Sequence, residues 1–323
     1  MSLSQSRRKV EDDDDIETRP PRRSRHDLPD SRSAIVSRRV VETGSLYSII
    51  RRDPRRAYVE PIGWTSYHLQ SLGCSFNRQR LPGKGHDHDG ARGEPDHKAT
   101  RFLSPEHAAR VKFQLAQVST LTVKRYAVKE ILEAYDIRPQ GAEDLSFQFN
   151  RHNVARLPTD GIFTLSADIS SSLIAFVTFD TIESLRESYI RPKRKLRNRP
   201  ILNKTQNKLQ LIQPPDQAED PYLVALLIAL AQTQRRQQYQ SSIQLTSTAT
   251  DDACHSLTAK VLAIPGTQSK YFYVYTATIP TEFLDKFEDP FRFTPSGPIS
   301  ISYYRIPVKE ERSLERLYRL LHG

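Results

Sequence analysis

Hydrophobic positions are spread unevenly along this chain. The longest uninterrupted apolar run is Tyr222 to Ala231, inside DPYLVALLIALAQTQRRQQ, which spans Asp220 to Gln238. Asp220 can accept hydrogen bonds from the free N–H groups of a first helical turn, and Pro221 suits the first helical position. The run is too short to cross a bilayer and too evenly apolar for a half-exposed surface helix. It therefore predicts the central buried helix of a domain. Arg235 and Arg236 fall near its C-terminal end, where the helix dipole favours positive charge.

Weaker patterns predict the surrounding elements. Ser104-Pro105-Glu106 reads as a helix start, followed by an apolar face at Val111, Leu115 and Val118. Tyr126 to Tyr135 supplies a second helical pattern through Val128, Ile131, Leu132 and Tyr135. Phe147-Gln148-Phe149 and the stretch from Gly161 to Phe179 are rich in β-branched and aromatic residues and predict strands. A short helix over Thr181 to Tyr189 comes next. Strands are expected at Ser242–Thr246, Leu257–Ile264 and Tyr271–Ile279, the last two joined as a hairpin by Pro265 to Lys270. Thr281 to Phe287 predicts a helical turn and Pro298 to Ile306 a strand. A terminal amphipathic helix carries Leu314, Leu317, Leu320 and Leu321 on one side. Helices and strands mix without regular βαβ alternation. The predicted fold is α+β, a single mixed domain with a central buried helix packed on an antiparallel sheet, plus a disordered N-terminus.

Composition sets the boundaries. Residues 1–45 are charged and polar, with RRK, EDDDD and RPPRRSR, and are read as disordered. Residues 46–103 are read as a partly ordered segment containing Trp64, followed from 73 by a polar loop rich in His and Gly. Residues 104–323 form the α+β domain, interrupted by a basic flexible linker at 191–219. The formal net charge is +10, and most of the excess lies between Arg186 and Lys208. A local basic patch is therefore expected, not a general polyanion-binding surface. Two cysteines, Cys74 and Cys254, argue against a disulfide-built secreted scaffold. The N-terminal sequence lacks the apolar stretch of a signal peptide, and no apolar run is long enough for a membrane span.

The DPYLVALLIALAQTQRR helix, followed by YFYVYTATIPTEFLDKFEDP and a final strand and helix, resembles a recurring group of uncharacterised proteins from filamentous fungi. The resemblance covers the last third of the chain and implies no activity, cofactor or catalytic residue.

Three constellations carry candidate chemistry. Cys74, His86, His88 and His97, with interleaved Asp87, Asp89 and Asp96, offer zinc-ligand types, but their spacing matches no standard zinc site. A flexible polar loop is the better reading, and no metal or other cofactor is expected. The run RPKRKLRNRP presents Arg191, Lys193, Arg194, Lys195, Arg197 and Arg199, which could bind an import factor or nucleic-acid phosphates. Alternation along β-type residues puts Tyr271, Tyr273 and Tyr275 on one face, as a base-stacking platform would require or as an ordinary strand would show. Enzyme signatures such as GxGxxG, GxxxxGK[ST] and GxSxG are absent. Asp251, Asp252 and Lys260 do not form the acid-x-Lys spacing of a nuclease strand. The expectation is a soluble intracellular protein, nuclear or cytoplasmic, acting as a non-enzymatic protein-interaction module with an unidentified protein partner. A nucleic-acid-associated protein using residues 191–199 is the alternative, and an enzyme of unrecognised class the second alternative.

Overall fold

Every residue from Tyr222 to Ala231 is at most 1% exposed. Around this buried run a computed structural model describes residues 40–81, 103–165, 172–191, 199–244 and 256–323, with only the backbone described for 199–202, 241–244 and 268. The first half contains α1 (Leu46–Arg52), α2 (Pro54–Ala57), α3 (Ser66–Leu72), β1 (Cys74–Gln79), α4 (Pro105–Gln117), α5 (Leu121–Ala134), β2 (Arg138–Pro139), β3 (Asp144–Phe149) and β4 (His152–Pro158). The second contains β5 (Gly161–Thr164), β6 (Leu173–Thr178), α6 (Phe179–Ile190), α7 (Arg199–Ile212), α8 (Pro221–Gln244), β7 (Ser256–Ile264), β8 (Tyr271–Pro280), α9 (Thr281–Glu288), β9 (Ile299–Pro307) and α10 (Ser313–His322). All of them belong to one unit, Val40–Gly323.

The main sheet has the strand order β1-β9-β8-β7-β6-β5-β2, and β3 and β4 form a separate hairpin. The α+β class stands, but the sheet is mixed and not antiparallel. β1 runs parallel to β9, and β6 parallel to β7. The second pairing has a topological cause. α6, α7 and α8 lie between β6 and β7, so the chain crosses over and re-enters the sheet in the same direction.

Helices cover both faces of the sheet. On one face α8 packs across β7, β6 and the β3–β4 hairpin, and its apolar run joins Tyr273, Tyr275, Ala277 and Ile301 in one core. On the other, Phe272, Val274 and Leu262 meet Val111, Leu115, Val128 and Ile131 from α4 and α5, and Leu317 and Leu321 from α10. The period-two alternation of β8 thus feeds both cores.

Local chemistry sets the helix starts as the sequence indicates. Ser104 Oγ accepts from the His107 N–H at 3.2 Å, with Pro105 at the first helical position. Asp220 accepts from the Tyr222 N–H at 2.8 Å at the start of α8. Gly73, at φ 69°, ends α3 in the left-handed conformation and turns the chain into β1.

Three further expectations change. Helix α8 continues to Gln244 where a strand was expected from Ser242, because no glycine or proline lies between Pro221 and Gln244 to stop it. Residues 245–246 lie outside the described residues. The expected flexible linker at 191–219 is helical from Arg199 to Ile212, with a further turn at Gln217–Glu219. Ile201, Thr205, Leu209 and Ile212 recur at helical spacing there, and α7 lies against α6. Residues 192–198 of that linker lie outside the described residues. The start of the expected polar loop is strand β1, recruited by β9 despite its polar sequence CSFNRQ. Trp64, in the segment read as partly ordered, is 6% exposed within the first core and edge-on to Phe147 at 5.5 Å, so α1–α3 form a wall of the fold.

Candidate functional site

The wall formed by α1–α3 does not close completely on the β3–β4 hairpin. In α1, Leu46, Ile49 and Ile50 fall at helical spacing and share one apolar side. Asp53 Oδ1 accepts from the Arg56 N–H at 3.2 Å and, with Pro54 next, restarts the chain as α2. Pro61 opens a single tight turn, Pro61–Gly63. At the start of α3, His68 Nδ1 accepts from the Thr65 N–H at 3.0 Å. Between these pieces and the hairpin lies a groove of about 450 Å³. Its apolar lining includes Leu46, Ile49, Ile50, Trp64, Phe147 and Val154. A second cavity of about 260 Å³ shares Glu60, Pro61, Ala155 and Tyr189 with the first and extends it to Arg156 and Tyr222. Exposed apolar side chains stand at the mouth: Tyr58 at 63%, Val154 at 43% and Tyr189 at 41%.

His68 is the polar centre of this wall. Its ring stacks on Trp64 at 5.6 Å and meets Tyr67 edge-on. Burial pulls its pKa from 6.5 down to about 4. The ring is therefore neutral at physiological pH. Because Nδ1 accepts from Thr65, the proton sits on Nε2, which is buried without a hydrogen-bond partner. Ser71 is no nucleophile here, since its hydroxyl donates to the Tyr67 carbonyl at 2.8 Å. The groove offers apolar contact with few polar points. It does not pair a nucleophile with a base.

The outward side of the same helices is basic. Arg51, Arg52, Arg55 and Arg56 are all exposed, and the Arg56 guanidinium lies 4.2 Å over the groove-lining Tyr67 ring. Neither the groove nor this arginine cluster follows from a motif. The available signal is the interleaving of LYSII, RRDPRR and AYVEPIGW, in which basic residues interrupt an otherwise apolar and aromatic stretch.

The residues singled out from the sequence do not converge on another site. Cys74 opens β1 opposite Ile299 and is buried. Burial pushes its thiol up to about 12, the wrong direction for a zinc ligand. His86, His88 and His97 lie outside the described residues. Among the described residues, no three of His, Cys, Asp and Glu are placed to hold a metal ion. Arg191 ends α6, exposed, with Nη2 3.8 Å from Glu187. Lys193, Arg194, Lys195 and Arg197 lie outside the described residues, and Arg199 opens α7. Arg186, which contributes to the basic excess in sequence, is 3% exposed and bonded through both terminal nitrogens to the Asp220 carboxylate.

Tyr271, Tyr273 and Tyr275 do share a face, but that face is packed and offers no stacking platform. Tyr275 is fully buried, donates to the Ala218 carbonyl at 2.7 Å and stacks on Tyr303 at 5.4 Å. Tyr273 lies against Phe179 at 5.3 Å, and Arg305 covers Tyr271 at 3.6 Å. Lys260, weighed as a nuclease lysine, is buried and donates to the Leu321 carbonyl at 2.8 Å. Burial alone lowers its pKa. Asp251 and Asp252 lie outside the described residues. Asp160 is the other buried acid of note, raised by burial against the pull of Arg125. The Thr178 N–H, the Thr181 hydroxyl and Arg125 at 2.8 Å occupy its carboxylate, so it serves the fold.

Among the described residues, no helix is long and apolar enough to cross a membrane. No known protein family matches the chain, and comparison with curated proteins finds no match.

Proposed function

We propose that this protein is a non-enzymatic interaction module whose groove between α1–α3 and the β3–β4 hairpin takes an apolar segment of a protein partner. One observation carries this reading. An open apolar groove of about 450 Å³ keeps Tyr58, Val154 and Tyr189 exposed at its mouth, whereas Asp160, Arg186 and Lys260 are spent on contacts within the fold. Contiguous exposed apolar surface around a concave site marks binding surfaces, and tyrosine is among the residues that dominate interface energetics. A nucleic-acid reading through the tyrosine face of β8 has less support, because that face is packed.

Peptide display on the intact protein tests the proposal. Wild type should enrich peptides with closely spaced Leu, Ile, Phe or Trp. The Val154→Lys variant places a charge at the mouth without disturbing a buried contact, and should lose that enrichment at unchanged thermal midpoint. An enriched set that survives Val154→Lys intact would remove the groove from consideration.

A further inference from the structure

Resting on that reading, we infer that the partner segment is acidic as well as apolar, with carboxylates beside α1 and α2 and an uncharged apolar residue beside Glu60. The same two short helices that line the groove through Leu46, Ile49, Ile50, Ala57 and Tyr58 carry Arg51, Arg52, Arg55 and Arg56. All four arginines are exposed. None of the ion pairs among the described residues includes any of them. The acid between them, Asp53, is engaged as the helix cap of α2. Four like charges within six residues repel one another, and a carboxylate-bearing partner relieves that repulsion. Arginine is suited to the task because its planar fork bonds a carboxylate through two nitrogens. The Tyr67 ring already holds Arg56 at the groove edge, which lowers the ordering cost on binding. On the opposite wall, Arg156 lines the second cavity and is also exposed.

Glu60 sets the internal order of the ligand. It lines both cavities, so an acid directly beside it is repelled. The surface thus selects an apolar anchor at Glu60 with acids displaced toward α1–α2 and toward Arg156. A nucleic acid would also find the arginines and the aromatic rings of the groove, but the Glu60 carboxylate, which lines both cavities, repels a phosphate backbone laid along them.

The test uses the full chain and fluorescence anisotropy at low and high salt. The probes are a synthetic peptide of four glutamates followed by Leu-Trp-Leu, the same peptide with glutamines, and a single-stranded RNA twelve-mer. The glutamate peptide should bind about ten-fold more tightly than the glutamine peptide at low salt, and the gap should narrow at high salt. A triple variant, Arg51→Gln with Arg52→Gln and Arg55→Gln, should erase the gap while leaving the thermal midpoint and glutamine-peptide binding unchanged. Equal binding of the two peptides, both blocked by Val154→Lys, would overturn the acidic partner and leave the groove reading intact. So would failure of both peptides in a protein that still enriches apolar sequences by display. RNA binding that exceeds the glutamate peptide and falls in the triple variant would overturn it in favour of nucleic acid.

Discussion

The side-chain amide of Gln232 hydrogen-bonds to both backbone groups of Gln148. The Gln148 N–H donates to Gln232 Oε1 at 2.9 Å, and Gln232 Nε2 donates to the Gln148 carbonyl at 3.0 Å. A side chain from α8 therefore does for β3 what a neighbouring strand would do. The contact falls where the β3–β4 register shifts, between Phe147 and Gln148. It closes that edge of the hairpin and fixes the hairpin on the core helix. The Tyr222 hydroxyl adds a second tie, donating to the Pro158 carbonyl at 3.0 Å. One wall of the groove is placed by these bonds.

Gln232→Ala should leave two backbone groups without partners at a site where Gln232 is 6% exposed. Each unsatisfied group costs about 1–3 kcal/mol, so a loss of roughly 2–6 kcal/mol is expected from urea unfolding. Gln232→Glu keeps the acceptor and loses the donor, and should fall between wild type and alanine. If both variants unfold at the wild-type midpoint, the hairpin is not held by this contact.

How far the sequence reveals these features depends on the range of the interaction. The buried half of α8 is legible because ten consecutive apolar residues leave a helix no exposed face. Its Asp220 start is legible for the same local reason. Gln232 looks like any surface glutamine, because its partner lies 84 residues away. The groove is hidden similarly, since its walls come from α1–α3 and from the distant β3–β4 hairpin. β1 shows the limit most plainly. CSFNRQ lacks a convincing strand pattern, and pairing with β9 makes it one.

Arg186 and Asp220 predict a large single-mutant effect. The ion pair is buried at both ends, and Arg186 Nε also donates to the Ile62 carbonyl at 3.4 Å, within the turn that lines the groove. Arg186→Met strands the Asp220 carboxylate in the core and should cost about 3–5 kcal/mol. Adding Asp220→Asn removes that stranded charge while keeping a cap for Tyr222. The double variant should therefore be more stable than Arg186→Met alone. Additive losses in the two steps would mean that the charges do not interact.

His68 predicts acid sensitivity. The folded protein protonates this ring only near pH 4, whereas an unfolded histidine does so near 6.5. Between those values the unfolded chain binds more protons, so stability falls as pH falls. One pH unit is worth about 1.4 kcal/mol per proton, so His68 contributes roughly 3 kcal/mol that is present above pH 6.5 and lost on the way to pH 4. His68→Asn keeps an acceptor near Thr65 but has no ring to titrate. Carboxylates titrate in both proteins, so the measurement is the difference between wild type and variant. The melting temperature of His68→Asn should decline less steeply from pH 7 to pH 4.5. Parallel declines would show that His68 does not carry the effect.

The basic run predicts location independently of stability. Arg191 is exposed at the end of α6, and Lys204 and Lys208 are exposed on α7. Import factors need exposed cations, and we propose that Arg191 to Arg199 is an address of that kind. A fluorescent fusion should accumulate in the nucleus. Replacing Lys193, Arg194, Lys195 and Arg197 with alanine should move it to the cytoplasm. If these four charges serve only as an address, their removal should change stability by no more than about 0.5 kcal/mol. A wild-type fusion that stays cytoplasmic removes the nuclear proposal. A variant that stays nuclear shifts the address to the paired basic runs at Arg7 to Lys9 and Arg22 to Arg25. A variant that loses several kcal/mol of stability assigns the run to the fold. That result would join it to α7, where the sequence suggests a flexible linker and the structure has a helix.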